Sequence, residues 1–107
     1  MDIFVSELLE ELKIELNVTE ESDIKILSIK LKNAIKEIRN SFNFKPYHDD
    51  SFILGELEKH TYNIKRLAIY DFAKIGAENE TSHSEKNIDR VYEDRRKCFS
   101  GIVPFAD

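Results

Sequence analysis

Residues 23–42 read DIKILSIKLKNAIKEIRNSF, and this stretch decides the fold class. Its apolar residues recur at steps of three and four, which places them on one stripe of an α-helix. The stripe fills an arc of about 100°, as expected for a helix with one buried side. Its members are Ile24, Leu27, Leu31, Ala34, Ile35, Ile38 and Phe42. The pattern therefore predicts an amphipathic helix over 23–42.

A shorter helix is predicted before this stretch, over residues 3–16. Its apolar residues also follow steps of three and four, and they are Val5, Leu8, Leu9, Leu12 and Leu16. Residues 17–22 interrupt the pattern and offer Thr19 and Ser22 as caps for the helix that follows. The first two helices are thus expected to be joined by a short turn.

A third helix is predicted over residues 52–75, with a length of about 35 Å at 1.5 Å per residue. The loop before it, 43–50, contains Pro46, and Asp50 or Ser51 is the expected N-cap. Gly76 lies where a left-handed helix terminator belongs. This would be the longest helix of the chain.

The third helix carries apolar residues on two sides. The inner side has Ile53, Leu57, Ile64, Leu67, Ala68, Phe72 and Ile75. The opposite side has Tyr62, Ile69, Tyr70 and Ala73. A helix that is apolar on both sides is usually covered on both sides. The opposite side is expected to be covered by a neighbouring subunit or by the C-terminal segment folding back over it, and both can occur together.

The remaining residues are predicted to form a polar arm, a short helix and an apolar tail. Residues 77–92 are rich in Glu, Ser and Asn, with a possible short strand at 88–92. Residues 94–100 can form a short helix ending at Gly101, and 102–105 read IVPF. The predicted fold is therefore all-α: a small bundle of three main helices with a C-terminal arm and a short terminal helix, in a single domain over 1–107.

Charge is unevenly distributed along the chain, whose formal net charge is −5. Residues 1–23 carry eight acids against one base, whereas residues 24–47 carry six bases against one acid. The overall sign argues against bulk electrostatic binding to nucleic acid. The segregation favours pairing between the first helix and a basic stripe on the second, within one subunit or between subunits. That stripe consists of Lys25, Lys32, Lys36 and Arg39.

No residue pattern predicts a catalytic, metal or cofactor site. His48-Asp49-Asp50 lacks zinc or calcium ligand spacing and is interpreted as a turn with a capping acid. His60 and His83 are interpreted as a hydrogen-bonded and an exposed histidine, and Cys98 as a structural thiol. Asp71 falls within the apolar arc of the third helix, so a salt bridge or hydrogen bond is expected. The sequence therefore does not indicate an enzyme.

The expected cellular location follows from three features that the sequence does not show. A single cysteine cannot form an internal disulfide, which fits a reducing cytoplasm. No apolar run approaches the roughly 20 residues of a membrane span, and no secretion signal is recognisable at the N-terminus. Neither membrane insertion nor export is therefore expected.

Nearly the whole chain resembles a known family in layout, and residues 68–105 carry the specific part of the resemblance. Residues 68–80 read AIYDFAKIGAENE, and SHSE follows at 82–85, IDRVYE at 88–93 and IVPF at 102–105. In order and spacing these segments resemble siphophage head-to-tail connector proteins, also called adaptor or head-completion proteins. Asn79 and Lys86-Asn87 stand where that family often has glycine. Asparagine tolerates positive φ, so the turns can be retained.

The resemblance implies a structural subunit of a tailed bacteriophage or prophage, with no enzymatic activity and no cofactor. Such subunits form a ring of about twelve copies beneath the portal protein, extend the channel that contains DNA, and dock a downstream connector or stopper protein. The expected location is the virion, and the host cytoplasm during assembly. Candidate subunit contacts are Tyr62, Ile69, Tyr70, Ala73, Ile88, Arg90 and Tyr92.

Two further sets of residues are assigned to partners by the same resemblance. The apolar tail is the candidate portal contact, through Ile102, Val103, Pro104 and Phe105. The basic stripe is the candidate DNA-channel surface, through Lys25, Lys32, Lys36 and Arg39. An alternative function uses the same stripe: a small helical DNA-binding or regulatory protein-interaction module.

Overall fold

Helix α2, Glu21–Ser41, lies at the centre of the fold and contacts each of the other three helices. These are α1, Asp2–Glu15, α3, Asp50–Lys59, and α4, Thr61–Glu78. The computed structural model describes residues 2–78, without the side chains of 75–78, and residues 95–106. The most extensive packing is between α2 and α4, and α1 contacts both of them. The predicted all-α bundle is confirmed.

The core is built from the apolar stripes that the sequence predicts. Every residue of the predicted apolar stripe of α2 except Ile24 is buried. Complete burial of one leucine or isoleucine side chain contributes about 1.5–3 kcal/mol, so these stripes supply most of the driving force for packing. The buried core consists of Phe4, Leu8, Leu12, Leu27, Leu31, Ala34, Ile35, Ile38, Phe42, Ile53, Leu57, Ile64, Leu67, Ala68 and Cys98.

Asparagines in the left-handed conformation terminate the first two helices. Asn17 has φ 54° and follows α1, where the N–H of Val18 donates to the carbonyl of Lys13 and that of Asn17 to Ile14. This pair of hydrogen bonds is the Schellman arrangement. Asn43 has φ 56° just beyond α2. Asparagine tolerates this conformation because its short polar side chain can bond locally.

The predicted N-caps are wrong by one or more residues. Helix α2 begins at Glu21, with Glu20 as a cap that makes no side-chain hydrogen bond, rather than after Thr19 or Ser22. Helix α3 is capped by Asp49, whose carboxylate accepts from the backbone N–H of Phe52 at 2.8 Å. A run of adjacent acids and hydroxyls cannot reveal which one adopts the extended cap conformation.

The prediction of a single long third helix is also wrong, because the helix is interrupted at His60. This residue has φ −114° and ψ 29°, and its N–H donates to Leu57 three residues earlier. The hydroxyl of Thr61 donates to the carbonyl of Glu58 at 2.8 Å, which satisfies an acceptor freed at the end of α3. The break leaves Ile53, Leu57, Ile64 and Leu67 all buried, so the apolar pattern continues across it.

The C-terminal features follow the predictions only in part. Helix α4 continues through Gly76 to Glu78, so Gly76 does not terminate it and the predicted arm does not begin at 77. Residues 95–97 form a helical turn, and Gly101 follows with φ 86°. The predicted arm and strand, including Ile88, Arg90 and Tyr92, lie outside the described residues, as does His83.

Candidate functional site

Arg95 fastens the C-terminal segment, residues 95–106, onto the helical bundle. Its guanidinium donates to both carboxylate oxygens of Asp71 on α4, at 3.0 and 3.1 Å, and to Glu37 on α2 at 2.5 Å. The hydrogen bond with Asp71, and then that with Glu37, raises the pKa of Arg95 although burial opposes this. The expectation of a salt bridge for Asp71 is confirmed.

Asn63 provides a second attachment for the C-terminal segment. Its amide donates to the backbone carbonyls of Cys98, at 2.8 Å, and Ser100, at 2.9 Å. Cys98 is buried in the core, which confirms its interpretation as a structural thiol. The segment is therefore held by both directional hydrogen bonds and apolar burial.

The end of the chain docks into a cluster of aromatic rings. The N–H of Phe105 donates to the carbonyl of Phe42 at 2.8 Å, and the amide of Asn43 donates to the carbonyl of Phe105 at 3.0 Å. The Phe105 ring lies with its centroid 4.8–6.3 Å from four others, which suits aromatic packing. The four rings belong to Phe42, Phe44, His48 and Phe52.

The four candidate portal-contact residues are thereby divided. Ile102 and Phe105 are half-buried against the core of their own chain. Val103 is 76% exposed and Pro104 is also exposed. The tail thus has a partner within the monomer, and only its middle remains available. Docking on a portal stays a prediction, and Val103 is the side chain best placed for it.

The candidate subunit contacts on α4 are divided in a similar way. Tyr62 is 72% exposed and Ala73 is exposed. Ile69 and Tyr70 are half-buried and pack against the core. The chain itself therefore covers part of this side of the helix. A neighbouring subunit remains a predicted partner for Tyr62 and Ala73.

The basic stripe of α2 lies fully on the surface. Lys25, Lys32, Lys36 and Arg39 are all exposed, and Ile29 lies among them with 56% exposure. We call these five residues the basic face of α2. Lys25 approaches Glu21 of the same helix at 3.9 Å. Within residues 2–78 and 95–106, no ion pair joins Lys32, Lys36 or Arg39 to an acid.

Two acids of α1, Glu11 and Glu15, pair with α4, and a third, Glu10, pairs with Lys13 of α1 itself. Lys65 contacts Glu15 at 2.5 Å and Glu11 at 3.4 Å. The hydrogen bond with Glu15 is the main reason that the pKa of Lys65 is raised. The expectation that α1 neutralises the basic stripe within one subunit is therefore wrong. The two helices touch through their apolar stripes, which turns their charged sides away from each other.

His48 and His60 have local structural roles. Nδ1 of His48 accepts from the backbone N–H of Lys45 at 3.0 Å, and its ring stacks on Phe52. His60 lies 3.4 Å from the Asn63 side chain and edge-on to Phe42. Among the described residues, no group of three or more His, Cys, Asp and Glu could hold a metal ion. No helix in that part of the chain has the length and apolarity needed to cross a membrane.

Sequence reasoning missed two residues that organise the C-terminal segment, Arg95 and Asn63. The usable signal for Arg95 was Asp71, a carboxylate on an apolar helix face that required a cationic partner. No comparable signal existed for Asn63, because its acceptors are backbone carbonyls 35 and 37 residues away. Sequence spacing alone does not indicate such contacts.

Comparison with known proteins gives one result that bears on function. Residues 6–101 match the family described as Phage gp6-like head-tail connector protein. No curated protein and no solved structure matches the chain. A head-tail connector is a structural part of the phage virion and assembles with other head and tail proteins. The match covers most of the chain, and the chain therefore belongs to the gp6-like family of phage head-tail connector proteins.

Proposed function

We propose that this protein is a connector subunit that assembles into a ring beneath the portal of a tailed phage. The ring would extend the channel through which DNA passes and dock the next connector component. The observation that carries this proposal is the family match over residues 6–101. It spans most of α1, all of α2, α3 and α4, and residues 95–101 of the C-terminal segment.

Surface chemistry supports a role in assembly. Large apolar side chains are exposed on all four helices, in the 43–49 loop and in the tail, among them Ile29 on α2, Tyr62 on α4 and Val103 in the tail. Scattered exposed apolar residues are normal on a monomer. In a small protein of a connector family, however, these positions are the first candidates for burial against neighbours. We assign Tyr62 and Ala73 to subunit contacts and Val103 to the portal.

The proposal is tested by mixing the protein with the portal protein encoded by the same phage genome. Negative-stain imaging and light scattering are expected to show a ring added to the portal. Tyr62→Ser should weaken ring formation, whereas Tyr47→Ser, which removes a similarly exposed tyrosine from the 43–49 loop, should not. A protein that stays monomeric and does not bind portal would contradict the connector role.

A DNA-binding module is the second candidate, favoured by the exposed basic face of α2. Each phosphate contact makes affinity fall with salt, so log affinity should decrease with a slope near the number of contacts. The test is a binding titration of the isolated monomer on duplex DNA over a salt series. A steep salt dependence that is lost in Lys32→Glu/Lys36→Glu would favour this candidate. No measurable binding would exclude it.

A further inference from the structure

We propose that the acidic face of α1 of one copy docks against the basic face of α2 of the next copy. The acidic face of α1 is defined by Ile3, Glu7, Glu10 and Ile14. This inference rests on the proposed ring, because it adds two surfaces that would join its subunits to the contacts proposed for Tyr62 and Ala73. Such an interface is heterologous: each copy offers one face to each neighbour, and repetition by rotation closes a ring.

The acidic face of α1 is a separate surface from the side that packs on the core. Its four residues follow steps of four and three, so they form one line along the helix. At about 100° per residue, this line is turned by about 130° from the buried positions Phe4, Leu8 and Leu12. Ile3 is 75% and Ile14 is 80% exposed. Two large apolar side chains thus flank two carboxylates on the solvent side.

The basic face of α2 has the complementary composition. Its residues also follow steps of four and three, and Ile29 lies between Lys25 and Lys32. At about 100° per residue, the face is turned about 140° from the mean direction of the buried stripe. Three cations of this face have no acid partner within the described residues. An external acid can therefore pair with these cations without breaking an ion pair of the basic face. Of the two acids on the acidic face of α1, Glu10 already pairs with Lys13 of its own helix at 3.1 Å, so docking competes with that contact.

The two faces also match in length. Ile3 to Ile14 covers about 16 Å and Lys25 to Arg39 about 21 Å at 1.5 Å per residue. Opposite charges along the contact would fix register and exclude like-with-like pairing. One helix face against another buries less than the roughly 1,200 Å² of a standard stable interface. An isolated pair should therefore bind weakly, and closure of a ring or a portal template would multiply the contact.

The composition of the basic face favours a protein partner over DNA. Phosphate contacts would engage the lysines but leave Ile29 exposed to water. A second copy would bury Ile29 against apolar side chains that are themselves exposed, Ile3 or Ile14. The net charge of −5 opposes approach to DNA at long range. It opposes approach of a second copy as well, and salt screens both repulsions beyond about 10 Å at 0.1 M, so the preference for a protein partner rests on Ile29.

Charge reversal provides the test. It uses two variants: copies of the same variant should repel each other, and copies of different variants should attract each other. Glu7→Lys/Glu10→Lys makes the acidic face of α1 basic, and Lys32→Glu/Lys36→Glu makes the centre of the basic face of α2 acidic while Lys25 and Arg39 remain at its two ends. The quadruple variant exchanges the signs at the centres of the two faces within one chain. Glu58→Lys and Lys59→Glu are controls at exposed positions of α3 outside both faces. Circular dichroism checks that every variant keeps its helices.

Self-association is measured by sedimentation velocity and native mass spectrometry, alone and with portal. Each double variant alone should associate at least tenfold more weakly than wild type. An equimolar mixture should regain complexes, with the two variants alternating, and the quadruple variant should regain them alone. The two controls should behave as wild type. A mixture that remains monomeric, or double variants that associate normally, would overturn the face pairing.

The mixture also separates this inference from the proposed function. Wild-type rings on portal together with no complex in the mixture would retain the connector role and reject the face pairing. A complex in the mixture, but no wild-type ring with portal, would support the pairing and reject the connector role. Loss of duplex DNA binding in Lys32→Glu/Lys36→Glu, with unchanged assembly, would assign the face to DNA and overturn the inference.

Disulfide trapping gives a second readout. Ile14→Cys and Ile29→Cys are prepared as separate variants, so a disulfide between positions 14 and 29 can form only between two copies. The native thiol, Cys98, is buried and should not compete. The mixture is expected to form disulfide dimers several times faster than either variant alone. Equal rates in all three samples would contradict the pairing of these faces.

Discussion

The C-terminal segment and the outward sides of α1 and α2 are opposite in how they satisfy their chemical groups. The segment has internal partners for its charge, its backbone and its rings, through Arg95, Asn63 and Phe105. The outward sides expose cations and isoleucines to solvent, among them Lys32, Lys36 and Ile29. Apart from the exposed Val103 and Pro104, the first region finds its partners within the monomer, whereas the second is available to other proteins.

The difference shows how directional contacts are distributed in this small fold. The Asp71 carboxylate is 15% exposed, so it needs a cationic partner, and Arg95 supplies one from a distant part of the chain. Charges on the outward sides remain hydrated and need no such partner. Because water solvates these charges without loss of folding stability, residues on these sides can change to suit a binding partner without destabilising the fold.

The largest expected effect contrasts two positions of α2. Leu31→Ala removes a side chain with no exposed surface and should cost about 3 kcal/mol of unfolding free energy through lost burial and a cavity. Ile29→Ala, on the outward side, should change stability by less than about 0.5 kcal/mol. Urea denaturation followed by circular dichroism measures both. Similar losses for the two variants would remove the distinction between inner and outer sides.

A smaller effect is expected at the attachment of the C-terminal segment. Asp71→Ala leaves the half-buried Arg95 with Glu37 alone and should cost about 1–3 kcal/mol. Glu37→Ala removes the more exposed acid, 45% accessible in its side chain, and should cost about 0.5 kcal/mol. Hydrogen exchange should rise chiefly in residues 95–106. Unchanged exchange there in Asp71→Ala would show that apolar packing alone holds the segment.

The smallest effect concerns the link between α1 and α4. Lys65→Met removes the ion pairs with Glu11 and Glu15 and should cost about 0.5–1 kcal/mol at neutral pH. Because the folded-state pKa of Lys65 lies above its ordinary value of 10.5, the contribution is complete below that pH. It is lost as pH rises through the higher folded-state value.

The readout is the stability difference between wild type and Lys65→Met, followed by denaturation from pH 7 to 11. The difference should be constant to about pH 10 and then shrink. Lys59→Met, which removes the exposed ion pair with Glu56, is the matched control and should cost less. A difference that does not change with pH would show that Lys65 acts through packing of its aliphatic stem.

The helices were predictable where a long apolar period runs unbroken. Helix α2 and the inner residues of α3 and α4 follow from spacing alone, since burial of such stripes stabilises a bundle. The break at His60 was not predictable, because a single non-helical residue left the apolar period intact. The errors in the predicted N-caps of α2 and α3 have a related cause. Several neighbouring side chains can cap a helix, and only the backbone path selects one of them.

The candidate surfaces were predictable to a lesser degree. Exposure of the basic stripe followed from its position beside the apolar one. The partner of α1 did not, because the choice between Lys65 and the lysines of α2 depends on how the helices cross. The apolar tail was recognised as a docking segment, but not its site beside Phe42 and Phe44. Sequence patterns indicate which apolar or charged surfaces need a partner, but they do not indicate which residues provide it.

By itself, the sequence determined the helical class, most residues of the core and the segregation of charge, because each depends on spacing along one helix. Phe4 is an exception, since it is buried although it lies outside the predicted stripe of its helix. The sequence also carried the resemblance to head-tail connectors. Only the tertiary structure decided that Arg95 joins Asp71 and Glu37, and that Phe105 docks in its own chain. It also decided that Lys65, and not the lysines of α2, pairs with Glu11 and Glu15. These are contacts between distant residues, and their formation depends on helix packing that no local pattern encodes.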